Sequence, residues 1–193
     1  MTTHAGNEVE IKFLIHDVEA LTGTLRSVGF RQKTPSSFES NTLYDNDAND
    51  LRNAGELLRL RHYNLKWKLT HKSRGAAGKH KSRTELETEL SSGETMHAIL
   101  TAIGFRPVFR YEKYRAEWSD GQGEVVIDHT PIGILGEIEG DPAWIDRIAR
   151  ELGLREADYI TGSYSELFFV WRKRTGNSAT NMTFAECGTP HPF

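Results

Sequence analysis

The chain carries one cysteine in 193 residues, no long apolar run and no excess of charge of either sign. Each shortage excludes something. A lone Cys187 cannot form an intrachain disulfide and fits a reducing, cytoplasmic setting. It stands in a polar stretch, where an incidental thiol is the expectation and a nucleophile is not. The longest uncharged apolar segment falls far short of the ~20 residues of a membrane helix, so no membrane partner is expected. The opening MTTHAGNEVEI has no basic region followed by an apolar core and does not read as a secretory leader. With 24 basic and 27 acidic residues, a net charge of −3 gives no global reason to expect nucleic acid.

The information must lie in how the charges are placed. Hydrophobic residues make up 37% and charged residues 26%, a globular composition, and the length suits one domain with a substantial core. Three helices are predicted: Asp17 to Val28, stopped by Gly29; Ser92 to Ile103, stopped by Gly104; and one capped by Asp141-Pro142 that ends at Gly153. Each follows an E-x-E segment (EVEIKF, ELETEL, EIEG) and leads into VGFR, IGFR or LGLR, a loose internal repeat. Strands are predicted at 8–15, 38–45, 57–63, 66–72, 82–90, 107–118, 124–129, 134–139 and 164–172. The Gly-rich basic loop SRGAAGKHKS at 73–82 superficially resembles a phosphate loop but lacks its spacing and its Ser or Thr after the lysine. Residues 1–174 are read as the domain and the polar, aperiodic stretch 175–193 as a mobile tail.

On strand after strand, charges occupy alternate positions. Glu8, Glu10 and Lys12 alternate with Val9, Ile11 and Phe13. Arg59 and Arg61 share a face, as do Lys66, Lys68, Thr70 and Lys72; then Arg83, Glu85, Glu87 and Glu89; then Lys113 and Arg115; then Glu137 and Glu139, with Asp128 ending VVID. A sheet with its charged face in water would mix signs, because like charges repel across neighbouring strands. Here carboxylates come in E-x-E pairs and cations in R-x-R or K-x-R pairs. Paired carboxylates suit a hard divalent cation, and paired Arg and Lys suit phosphate. A metal-carrying polyphosphate satisfies both. If the sheet closes into a barrel, the charged faces line its lumen and the apolar faces point outward beneath the helices.

This ordered set resembles the CYTH superfamily, the triphosphate tunnel metalloenzymes. The likeness runs from E-x-E-x-K at Glu8, Glu10 and Lys12 through LRLR, LTHK, R-x-E-x-E at Arg83, and on to Glu137 and Glu139, with about 170 as its end. It implies an α+β fold, mainly antiparallel: a closed eight-stranded barrel with helices packed outside, binding triphosphates with Mg²⁺ or Mn²⁺. Carried over residue by residue, Glu8, Glu10, Glu137 and Glu139 are expected as metal ligands, with Asp128, Glu85 and Glu87 as further acidic positions. Arg59, Arg61, Lys72, Arg83, Lys113 and Arg115 are expected as the triphosphate clamp, and Lys12 as a catalytic residue that contacts phosphate or orients the nucleophile. Lys68 and Glu89 share the parity with weaker matches. His71 and His129 have no partner spacing for a transition metal.

The resemblance leaves the reaction open between hydrolysis of a terminal phosphate and cyclisation of ATP to cyclic AMP and pyrophosphate. PIGILGEIEG, the D-P-capped helix and SYSELF are similar to the class IV adenylyl cyclase subgroup. Leu43 of NTLYDN stands where thiamine triphosphatases carry a tyrosine, and Tyr44, of opposite parity, is expected in the outer packing. Hydrolysis is favoured slightly, with inorganic triphosphate, ATP or thiamine triphosphate as substrate and a monomer or homodimer as the assembly. A non-enzymatic polyphosphate-binding module is the alternative of another class.

Overall fold

Alternating residues make strands, and eight of them close on themselves. The computed structural model describes residues 3–76 and 78–192. Ala77 of the 73–82 loop, Met1 and Thr2 of the N-terminus and Phe193 of the C-terminus lie outside the described residues. The strands are β1 (Thr3–Leu14), β2 (Arg31–Asp45), β3 (Leu57–Tyr63), β4 (Lys66–Lys72), β5 (Lys81–Leu90), β6 (Arg106–Ser119), β7 (Glu124–Thr130) and β8 (Gly133–Glu139). They form a closed antiparallel barrel in the order β1-β5-β4-β3-β2-β6-β7-β8. Hairpins account for β3-β4-β5 and β6-β7-β8. The β1-β5, β1-β8 and β2-β6 pairs join strands distant in sequence.

The helices are α1 (Val18–Ser27), α2 (Asp50–Ala54), α3 (Gly93–Ala102), α4 (Pro142–Glu151), α5 (Tyr164–Thr175) and α6 (Phe184–Cys187). The caps expected for α1, α3 and α4 form: Asp17, Ser92 and Asp141 each accept a backbone N–H of the first turn. No described helix is long and apolar enough to cross a membrane.

Two of the three apolar clusters lie outside the barrel wall. Ile11, Phe13, Ala116, Trp118, Val125, Ile127 and Ile138 form an outer sheet face beneath Leu25 of α1 and Trp144, Ile145, Ile148 and Ala149 of α4. Phe13 lies so close over its cross-strand neighbour Gly136 that a Cβ there would stand 2.1 Å from the ring. A second cluster packs Tyr44, Leu60 and partly buried Leu58, Trp67, Leu69 and Leu90 against Met96 and Leu100 of α3. Tyr44 thus lies in the outer packing, bonded to His97 at 2.7 Å.

Two expectations are corrected. Residues 164–172, read as a strand, form α5. The apolar run LFFVW has no period of its own, but Ser163 and Glu166 form a capping box, Tyr164 and Phe168 bury four residues apart, and left-handed Gly176 ends the helix. In the stretch 175–193, read as a mobile tail, the described residues as far as Cys187 are instead tied down by packing. Ala179, Met182 and Cys187 join Phe109, Tyr111, Leu135, Tyr164 and Phe168 in a third cluster, and Met182 forms a backbone bridge with Tyr111. Burial raises the Cys187 thiol to about 11, which leaves it a poor nucleophile.

Met182, with no exposed surface, separates the packed arrangement from a mobile one. Met182→Ala is expected to cost about 2–4 kcal/mol of folding stability in urea titration; a mobile tail would give a change near zero.

Candidate active site

In each strand the charged parity points inward. The barrel encloses a cavity of about 490 Å³ lined by nine basic and nine acidic side chains. The basic set is Lys12, Arg59, Arg61, Lys68, Lys72, Lys81, Arg83, Lys113 and Arg115; the acidic set is Glu8, Glu10, Glu85, Glu87, Glu89, Glu117, Glu124, Glu137 and Glu139. Ser163, Tyr164 and Ser165, around the N-terminus of α5, also face it.

The charges answer one another across strands. Lys12 Nζ bonds Glu10 at 2.7 Å and lies 3.2 Å from Glu137. Burial alone would depress this ammonium, but the two carboxylates outweigh it and hold it above its ordinary value. Lys12 is therefore a fixed positive charge and no general base. Lys72 Nζ reaches Glu8 at 2.5 and 2.7 Å and Glu85 at 2.6 Å. Arg115 bonds both oxygens of Asp128 and, at 2.5 Å, Glu137. Burial pushes the Glu137 carboxyl up, but Arg115, Lys12 and Lys113 prevail and hold it well below the usual range. Arg61 donates to Glu87 at 2.8 Å and Arg59 to Tyr111 and Thr70. Arg83 pairs with no carboxylate among the described residues, and its Nε is buried without a hydrogen-bond partner.

One side of the lumen gathers carboxyls on neighbouring strands. The register sets Glu10 opposite Glu139 and Glu139 opposite Glu124, three carboxyls in a row on three adjacent strands. Burial, and then repulsion from Glu8, Glu10 and Glu137, pushes Glu139 up to about 8. Burial and Glu117 raise Glu124 in the same way. Lys81 is the complement: burial and the nearby Lys12 bring it down to about 8, despite Glu10 at 3.6 Å.

Twelve of the thirteen expected cavity residues from the strand parities, together with Lys68 and Glu89, line one tunnel. Lys12 is in this tunnel as well. Asp128 does not face it. It is fully buried, and accepts hydrogen bonds from Lys113 at 3.0 Å, from Arg115 and from the Tyr164 hydroxyl. Its lone pairs are occupied in positioning two clamp cations. His71 pairs with Glu56 at 3.2 Å and does not line the cavity. Leu43 does line it, in keeping with its parity.

Sequence reading missed Glu39. It has no exposed surface and lies 3.5 Å from Lys113 and 3.9 Å from both Arg61 and Arg115. These cations, Lys113 first, outweigh its burial and hold its carboxyl far below the usual range. The signal was available: Glu39, Asn41 and Leu43 alternate within FESNTL. Lys81, Glu117, Glu124, Tyr111 and Tyr164 were also missed, the first and third because they open their strands, where parity has few neighbours to define it.

Glu8, Glu10, Glu137 and Glu139 form an all-oxygen donor set of the kind a hard divalent cation takes, and among the described residues Glu139 has no cation within ion-pair distance. The donor chemistry fits such a metal. Among the described residues, however, no three His, Cys, Asp or Glu side chains are already gathered as a metal site.

The family model for the CYTH domain matches residues 6–164. The chain belongs to the CYTH domain family. A Methanocaldococcus jannaschii relative, provisionally named an adenylate cyclase, is 26% identical over 171 residues, 83% of this chain and 97% of that one. A Pyrococcus horikoshii structure superposes with a TM-score of 0.72 at 24% identity, covering 84% of this CYTH chain and 98% of the other. A Hippeastrum structure, provisionally named an adenylyl cyclase and described with a dominant triphosphatase activity, gives 0.60 at 22% identity over 96% and 98% of the two chains.

The Glu139 shift has a definite sign. Its folded pKa of about 8 exceeds the ordinary 4.5, so between those values the unfolded chain has released a proton that the folded barrel keeps. Stability of the metal-free protein is expected to fall as pH rises from about 4.5 to about 8, by on the order of a few kcal/mol. Glu139→Gln should flatten that decline in urea titrations across the window; an unchanged slope would place the titration elsewhere.

Proposed function

We propose that this CYTH domain is a divalent-metal-dependent enzyme that hydrolyses the terminal phosphate of an inorganic or organic triphosphate. One observation carries the reading: Arg83, without a carboxylate partner among the described residues, and a wall of clamp cations face a row of carboxyls inside one tunnel. Arg59, Arg61, Lys72, Arg83, Lys113 and Arg115 would bind the phosphate oxygens, the guanidiniums in bidentate fashion. Glu39 and Asp128 hold Arg61, Lys113 and Arg115 at fixed positions, so little reorganisation remains when substrate enters. Lys12, charged and clamped between Glu10 and Glu137, offers a fixed positive charge to a developing phosphate charge. Glu8, Glu10, Glu137 and Glu139, with Glu85 and Glu87 nearby, would hold Mg²⁺ or Mn²⁺, which would supply Lewis-acid charge neutralisation and an activated water.

Hydrolysis is preferred over cyclisation because eighteen of the twenty-six residues lining the cavity are charged. Cyclisation requires a ribose hydroxyl aimed at the α-phosphorus and hence a held nucleoside. The apolar and aromatic lining amounts to Leu43, Leu57, Tyr111 and Tyr164, too little to dictate a nucleoside pose. The triphosphatase activity described for the Hippeastrum barrel is compatible with this architecture. Cyclisation remains the second reading, favoured by the provisional name of the M. jannaschii relative and by the PIGILGEIEG segment.

Purified protein incubated with Mg²⁺ or Mn²⁺ and inorganic triphosphate, ATP or thiamine triphosphate is expected to release phosphate without cyclic AMP. Pyrophosphate with cyclic AMP would select the cyclase, and tight binding without turnover a binding module. Arg83→Ala should raise KM for triphosphate by roughly ten- to a hundredfold, the worth of a charge-assisted hydrogen bond. Glu137→Gln should instead shift the metal dependence to higher concentration. Full activity in both variants would sink the tunnel assignment.

A further inference from the structure

Nearly every carboxylate that a metal would need already has a cation on it. Lys72 spans Glu8 and Glu85, Lys12 lies between Glu10 and Glu137, and Arg115 takes the other oxygen of Glu137. The side chains in these pairs are only 4–18% exposed, so water and salt screen them far less than surface pairs. Among the described residues no three such side chains are gathered as a metal site, in keeping with cations that already occupy these carboxylates.

A metal arriving alone must displace the Lys72 ammonium from Glu8, leaving a buried cation with one of its two counter-charges, Glu85, and the metal pressed close to it. A triphosphate arriving alone must draw Lys72 away, leaving Glu8 and Glu85 buried side by side without one. Arriving together, each ligand supplies what the other's entry removes. Lys72 can make this exchange: it is a point charge on a flexible four-carbon stem, in contact with two strands at once. Lys12, almost fully buried, is held by carboxylates on both sides.

We propose that Lys72 is a coupling residue that makes divalent-metal and triphosphate binding mutually dependent, so that the tunnel takes the metal–polyphosphate complex and resists either ion alone. The inference rests on the metal-dependent triphosphate reading given above. Because linkage is reciprocal, it makes two matched demands. Removing the cation must free the carboxylates for metal, and removing the carboxylate must free the cation for triphosphate.

The test uses the metal-free full chain and two ligands separately: Mn²⁺ alone, with free Mn²⁺ read by electron paramagnetic resonance, and inorganic triphosphate in EDTA, read by calorimetry. Lys72→Met is expected to bind Mn²⁺ roughly tenfold more tightly than the unaltered protein, and Glu8→Gln to bind metal-free triphosphate roughly tenfold more tightly. Lys66→Met removes the same charge from the same face of β4, where its partner is Glu89 at 2.9 Å and no metal-side carboxylate is freed, and should move Mn²⁺ affinity by less than about twofold. Circular dichroism establishes that each variant is folded, and if one is not, the other decides. A folded Lys72→Met with unchanged or weaker Mn²⁺ binding, a folded Glu8→Gln with unchanged or weaker triphosphate binding, or equal tightening in Lys66→Met overturns the coupling. If the unaltered protein still binds the Mn²⁺–triphosphate complex in those cases, the tunnel reading stands. If it binds neither ion nor the complex, both fall.

Discussion

The structure depends on charges inside the barrel neutralising one another. An ion moved out of water carries a penalty of several kcal/mol unless a partner and further hydrogen bonds compensate it. Here the compensation comes in layers. Glu39 and Asp128 are sealed in behind the cavity surface, holding Arg61, Lys113 and Arg115; the next layer of pairs faces the cavity. A barrel with apolar residues inside would need none of this, but it would have nothing with which to grip a phosphate chain.

That constraint separates stability from chemistry. Driving force for folding comes from outward-facing residues such as Ile11, Val125 and Ile138, covered by α1 and α4. The lumen contributes a charge lattice in which attraction between partners is set against the cost of burying them. α5 belongs to both: Phe168 anchors it in apolar packing, while Tyr164 stacks on Tyr111, bonds Asp128 and stands near the Lys12 and Lys113 ammonium groups.

Much of this was legible in the sequence, for a specific reason. A period of two assigns each residue of a strand to a face without knowledge of its neighbours, so the lining residues of β1, β3, β4 and β5 could be read directly. Which face turns inward came from the sorting of charge signs. The register across β1-β5 and β2-β6 was not legible, since no local pattern specifies pairing between distant strands. The row Glu10–Glu139–Glu124 was hidden for that reason. Asp128 illustrates a further limit: its parity was right, but whether a carboxylate faces the cavity or its wall depends on what stands in front of it. The C-terminal segment failed differently, because its few apolar residues, Ala179, Met182 and Phe184, bury fully without any period to announce them.

Closure of the barrel also has a consequence for how copies of this chain can meet. Among the described residues each of the eight strands pairs with two neighbours, so a backbone ladder between copies is confined to overhangs such as residues 31–38 of β2, which pair with β6 alone. Any other assembly must be built from side chains on the outer shell, where Ile103, Val108 and Val170 are among the large apolar residues left uncovered.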